Sequence, residues 1–249
     1  MASITVNRTI ITTIITTTMT ITTTTDDALY RLLTWLSPAY PVGAYTYSHG
    51  LETAVEEGRV KDRAALIDYV STALLSGAGR VDGALLVAAF HAAMVEDDAT
   101  LDSVAVLAAA WRGSAELALE SMAQGTAFTS VTLAAWPSPR LAAFAARHPR
   151  RLAHPVAFGA AAACHGLPLL PSVTGWLAGF AANLVSAGVR LVPLGQTDGQ
   201  VATAALETSV HQAAAAAIAA DLEEVGTAAP MLDLLSMRHE TQYTRLFRS

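Results

Sequence analysis

A serine in a glycine-flanked turn is the chain's best candidate for a nucleophile. Residues 46–50 read Thr-Tyr-Ser-His-Gly and come within one residue of the G-x-S-x-G pattern of serine hydrolases. That pattern works by holding the serine on a sharp turn between a strand and a helix. Alternating strand patterns are nearly absent from this sequence, so we interpret Ser48 as a loop residue and keep a hydrolase as the enzymatic alternative.

The residue types that hold metals and phosphates lack the spacing those ligands require. Cys164 and His165 are adjacent, and neighbouring side chains on a helix diverge by about 100°. Lys61 follows Val60 and not the glycine run of a phosphate-binding loop. The sequence therefore predicts neither a catalytic centre nor a bound metal or cofactor.

The composition points to protein partners. The chain has 249 residues, of which 53% are hydrophobic and only 14% charged, so much apolar surface must be buried inside or against a partner. The net charge of −6 argues against nucleic acid as a ligand. Cys164 is the single cysteine, which excludes an intrachain disulfide and favours a cytoplasmic protein.

The chain divides into an arm and one folded domain. Residues 1–25 contain twelve Thr and six Ile without the apolar block of a secretory signal, and we predict a disordered arm. Residues 26–249 show helical periodicity interrupted by prolines, with Asp26 as the expected first cap. The prediction is an all-α, single-domain bundle of roughly eight to ten helices, the last expected over 198–223.

One uncharged stretch raises a membrane alternative. Residues 152–189 contain no Asp, Glu, Lys or Arg and include the close-packing pair Gly175 and Gly179. The helix that holds this pair also carries Asn183, Ser186 and Arg190. We therefore favour a buried or interface helix over a membrane span.

Three segments together carry a family resemblance. Residues 36–52 read LSPAYPVGAYTYSHGLE, residues 186–200 read SAGVRLVPLGQTDGQ, and residues 237–249 read MRHETQYTRLFRS. In order and spacing they resemble the three signatures of the urease accessory protein UreF family, and the likeness runs from about residue 28 to the end. His49 departs from the Gln that is more usual in the family, and the helix around 111–132 has fewer charges than is typical.

The resemblance implies a non-catalytic, commonly dimeric protein that binds UreD (also called UreH) and the GTPase UreG on apo-urease. It implies a role in regulating GTP-dependent nickel insertion, with UreG and not this chain hydrolysing GTP. No nucleic acid or membrane partner is expected.

The three segments supply the expected partner-binding residues. Their tyrosines, arginines and amides suit an interface. The docking tail is expected over about residues 228–249, and its part from Arg238 to the end is predicted to be mobile until UreD binds it. The candidates are Tyr45, Tyr47, Ser48, Glu52, Arg190, Gln196, Gln200, Arg238, His239, Glu240, Tyr243, Arg245, Phe247 and Arg248.

Overall fold

A computed structural model describes residues 25–248. Within that range every regular element is a helix, the helices are joined by turns and loops, and there is no strand. This confirms the predicted fold class, although the twelve α-helices exceed the eight to ten expected. The predicted arm lies outside the described residues apart from Thr25. The helices are α1 (Asp26–Trp35), α2 (Leu51–Glu56), α3 (Arg63–Leu75), α4 (Ala78–Met94), α5 (Asp98–Ala110), α6 (Ala115–Ala135), α7 (Pro139–Arg147), α8 (His154–Cys164), α9 (Leu169–Leu191), α10 (Gln196–Ala205), α11 (Glu207–Ala219) and α12 (Pro230–His239).

Short polar side chains begin several of these helices. The hydroxyl of Thr25, and not the carboxylate of Asp26, caps α1 by accepting the Ala28 N–H at 3.2 Å. Two boundaries also differ from the sequence prediction. The helix expected over 198–223 is divided at Leu206 into α10 and α11, and α12 forms within the segment that was interpreted as a tail.

Helix α4 lies at the centre of the bundle. It packs most extensively against α8 and also against α3, α5, α9 and α11, and it is buried on almost every side. A glycine permits the close approach of α8 to α4, because a Cβ at Gly159 would collide with the carbonyl oxygen of Leu86. Many of the apolar residues in the composition are therefore buried between closely packed helices.

Two apolar segments are long enough to cross a membrane by length and composition. In residues 63–94, which form α3 and α4, 72% of the most apolar window is buried inside the bundle, as in a core helix. In α9 only 39% of the corresponding window is buried. Its outer face therefore remains available for contact with another molecule.

Candidate functional site

The loop of the first signature is shaped by two glycines with left-handed backbones. Gly43 has φ 76° and Gly50 has φ 77°, a conformation that disfavours other residues. A Cβ on Gly50 would lie 2.7 Å from the backbone nitrogen of Ser236. The loop and helix α12 can therefore pack together only with glycine here.

Glu52, in the first turn of α2, ties this loop to the C-terminal segment. Its carboxylate accepts the backbone N–H groups of Leu246 at 2.6 Å and Phe247 at 2.9 Å. The same carboxylate lies 3.1 Å from Nε2 of His239. One buried side chain thus holds three points of the terminal segment.

His239 is fully buried between two carboxylates. Its Nδ1 lies 2.7 Å from Glu116 on α6, while its Nε2 faces Glu52. Ionised carboxylates only accept hydrogen bonds, so both ring nitrogens donate when His239 is a cation. The Arg245 guanidinium also lies 2.7 Å from Glu116 and places a permanent positive charge beside that carboxylate. We call Glu52, Glu116, His239 and Arg245 the tail clasp.

The second signature meets the first and third through Arg190. Its guanidinium donates to the carbonyls of Ser186 at 3.1 Å and Tyr45 at 2.9 Å, as expected for a guanidinium near a helix end. It also stacks over the Phe247 ring at 4.4 Å. Nearby, the backbone N–H of Arg248 donates to Thr46 at 2.8 Å. All three family segments therefore converge on one region.

The C-terminal segment is packed against its own chain, which corrects the expectation of a tail that is mobile until bound. The physical reason is the tail clasp together with Phe247, whose ring is buried. Five candidate residues are buried and make internal contacts: Tyr47, Ser48, Glu52, His239 and Phe247. Complete burial of Ser48 also argues against its use as a nucleophile.

The remaining candidates differ in position. Tyr243 is fully exposed, and Tyr45, Arg238, Glu240, Arg245 and Arg248 are also exposed. The Glu240 carboxylate accepts the N–H of Ala115 at the start of α6, at 2.8 Å. Gln196 and Gln200 do not join the clasp but lie exposed on α10.

Glu116 is the clasp member that sequence reasoning missed. It lies outside all three signatures and 123 residues before its partner His239. Its position in the first turn of α6, after the capping Ser114, marks only a helix start. Nothing in the local pattern indicates a distant histidine.

A second polar group lies inside the bundle behind the loop. His49 Nε2 is 3.0 Å from Oε1 of Glu120, which also accepts a hydrogen bond from Gln124 at 2.8 Å. Burial alone would lower the pKa of His49, but the Glu120 carboxylate raises it overall. The residue that departs from the family pattern thus pairs with a buried carboxylate, and the pair is ionic when the His49 ring is protonated.

His154, which is largely but not fully buried, should make stability fall in acid. Burial, assisted by the charge of Arg112, lowers its pKa from 6.5 to about 4, so the folded state favours the neutral ring. The stabilisation is present above pH 6.5 and is lost as the pH falls towards 4, by roughly 3 kcal/mol in all. Denaturant titrations at pH 7 and pH 5 should show a smaller decline for His154→Gln than for the wild type. Exposed His211→Gln is the control, and equal declines in all three proteins would contradict the assignment.

Comparison with known proteins supports the family resemblance of the three signatures. The UreF family profile matches residues 60–207, more than half of the chain. A urease accessory protein UreF of Granulibacter bethesdensis is 63% identical over 226 residues, which cover 91% of this chain and 96% of that protein. The UreF proteins of Rhodopseudomonas palustris strain BisA53 and Methylorubrum populi are each 50% identical, over 89% and 90% of this chain and 93% and 99% of their own lengths. The chain belongs to the UreF family of urease accessory proteins.

Proposed function

We propose that this chain acts in urease maturation as a non-catalytic, cytoplasmic scaffold. In this proposal it binds UreD and the GTPase UreG on apo-urease and regulates GTP-dependent nickel insertion, with nickel as cargo and no cofactor of its own. The observation that carries the proposal is the convergence of the three family segments on one region. The tail clasp there, centred on buried Glu52 and His239, holds a set of exposed side chains in a defined arrangement, which favours binding to another protein.

UreD is proposed to bind what we call the tail surface: Met237, Tyr243, Leu246 and Arg248. Tyr243 is fully exposed, and Leu246 and Met237 keep much of their apolar area in solvent. Tyrosine, methionine and arginine are enriched in interfaces because they combine large apolar area with a polar group. The tail clasp fixes this segment before binding, which lowers the entropic cost of association.

UreG is proposed to bind nearby, at the exposed end of α9 and the start of α10. Arg190 lies in the last turn of α9, Tyr45 lies on the loop that Arg190 contacts, and both are exposed. Gln196 and Gln200 are exposed on α10. GTP hydrolysis is assigned to UreG, and this chain would act on it by contact alone.

Arg190→Ala should weaken capture of UreG. The substitution removes a guanidinium that supports both Tyr45 and Phe247. Pull-down of UreG and UreD by purified variants is the measurement, with exposed Arg151→Ala as the control for loss of one positive charge. We expect Arg190→Ala to capture less UreG than the wild type does, and Arg151→Ala to capture as much. Wild-type capture of UreG by Arg190→Ala would contradict the assignment.

A homodimer is proposed to form through the outer faces of α1 and α9. Leu29, Tyr30 and Leu33 are exposed on α1, and α9 adds Leu170 and the uncovered Gly179. The two faces are adjacent, because a Cβ on Gly175 would collide with the side chain of Leu36. Of the close-packing pair in the sequence, Gly175 packs against its own chain, so Gly179 is the small residue that leaves room for a second copy.

Leu33→Asp should shift this dimer towards monomer, since it introduces a charge into apolar contact area. Light scattering coupled to gel filtration measures the mass directly. Val106→Asp is the matched control, because Val106 is equally exposed but lies on α5. A wild-type mass for Leu33→Asp, or an equal shift in both variants, would contradict the proposed interface.

A further inference from the structure

A cavity of about 250 Å³ lies inside the bundle, separate from the tail surface. Its wall combines aromatic rings with buried polar groups from α4, α6, α8 and α9 and from the loop that follows α5. The residues that bear on its chemistry are Asp82, Arg112, Glu120, His154, Trp176 and Asp233. No part of the proposed scaffold function uses this cavity.

Two residues of the cavity wall have a buried N–H group without an acceptor. Arg112 donates through Nη1 to Asp82 at 2.7 Å and through Nε to Ala108 at 3.2 Å, but its Nη2 is buried and has no partner. The indole Nε1 of Trp176 is likewise buried and unpaired. Buried donors are rarely left unsatisfied, because each one loses its hydrogen bonds to water. The wall therefore favours a ligand that carries a hydrogen-bond acceptor.

The charges around the cavity select against an anion. The Arg112 guanidinium is compensated by Asp82, and Glu120 is compensated by His49 when that ring is protonated. Asp233 adds a further carboxylate at the wall. No uncompensated positive charge remains to offset the desolvation of an anionic ligand.

A cation is not favoured either. The carboxylates of Asp82 and Glu120 already face Arg112 and His49, so a cationic ligand there would lie beside the same guanidinium. Asp233 is partly exposed and already accepts a hydrogen bond from Thr227 at 3.1 Å, so water screens its charge. The neutral ring of His154 supplies one donor and one acceptor and no charge. An uncharged ligand with both an acceptor and a donor matches this wall best.

We propose that the cavity binds a small uncharged molecule that bears a carboxamide group. Its carbonyl oxygen would accept hydrogen bonds from Arg112 and Trp176, and its NH₂ group would donate to Asp233. The rings of Trp111 and Phe180, which also line the cavity, would contact its apolar part.

Benzamide, benzoate and benzamidinium form a matched set of probes, because they share a ring and differ in charge. Each is titrated into the full chain with ¹⁵N-labelled tryptophan, and the indole resonances are followed by NMR. We expect benzamide to shift the Trp176 resonance saturably, with an affinity at least about tenfold higher than that of either charged probe. Absence of a saturable shift would overturn the proposal, as would equal or tighter binding of benzoate or benzamidinium.

Two indole variants locate the bound probe. Trp176→Phe removes the unpaired N–H and keeps an aromatic ring, so benzamide affinity should fall about tenfold. Trp176 lines both this cavity and a neighbouring one of about 410 Å³, whereas Trp35 lines only the neighbouring one. Trp35→Phe is the control, because the Trp35 indole N–H is also buried and unpaired. The control should bind like the wild type. Loss of binding in Trp35→Phe, or retained affinity in Trp176→Phe, would overturn the assignment to this cavity.

Discussion

Glu52→Ala should release the C-terminal segment while most of the helical bundle remains folded. The substitution removes the acceptor for the N–H groups of Leu246 and Phe247 and one of the two carboxylates that face buried His239. The buried Phe247 N–H and the buried Nε2 of His239 both lose their partner, and each polar group left unsatisfied in the interior typically costs about 1–3 kcal/mol. Amide hydrogen exchange of Leu246 and Phe247 and denaturant unfolding together measure this effect.

Two further variants test whether the effect belongs to the tail clasp. Glu52→Gln keeps the size of the side chain and one acceptor oxygen, so its loss of protection should be intermediate. Glu57→Ala removes a carboxylate that pairs with Arg238 and Arg59 at the surface, and it should leave both amides protected. Wild-type exchange of the two amides in Glu52→Ala would contradict the clasp.

Tyr243→Ala combined with Leu246→Ser should abolish capture of UreD without unfolding the chain. Both side chains are exposed, and the backbone N–H of Leu246 still reaches Glu52 in the variant. Loss of two central apolar contacts typically raises the Kd of an interface about 100-fold or more. Binding of UreD to the immobilised chain measures the change.

A matched pair of substitutions on another surface controls for loss of apolar area. Val95→Ala with Val106→Ser removes exposed apolar groups at the α4–α5 end of the bundle. We expect wild-type affinity for UreD from this variant. Equal losses in the two double variants would show that the tail surface has no special part in binding.

The sequence was sufficient to predict the fold class, because alternating strand patterns are nearly absent and proline or glycine bounds most helices. The division at Leu206 was missed since no proline or glycine marks it and the flanking sequence is rich in alanine. Helix α12 was missed for a different reason. It packs against the loop at Gly50, a contact between residues 186 positions apart that no local pattern reports.

The sequence was sufficient to predict which three segments form the candidate site, but not how their side chains contact one another. The signatures identify Glu52, Arg190 and His239, and the structure brings all three to the clasp and its edge. The sequence could not indicate that Glu116 completes the clasp, or that the terminal segment packs against its own chain. Gln196 and Gln200 follow Arg190 closely in sequence, but after the turn at Pro193 they lie exposed on the separate helix α10 and are not part of the clasp.

Urease activation in cells that co-express urease, UreD and UreG tests the central claim most directly. The measurement compares cells that lack this chain with cells that contain the wild type or the Tyr243→Ala, Leu246→Ser variant. We predict nickel-dependent urease activity with the wild type, and activity near that of the cells without the chain for the variant. Equal activation with and without the chain would contradict a role in urease maturation, and full activation by the variant would contradict the tail surface as the site that serves it.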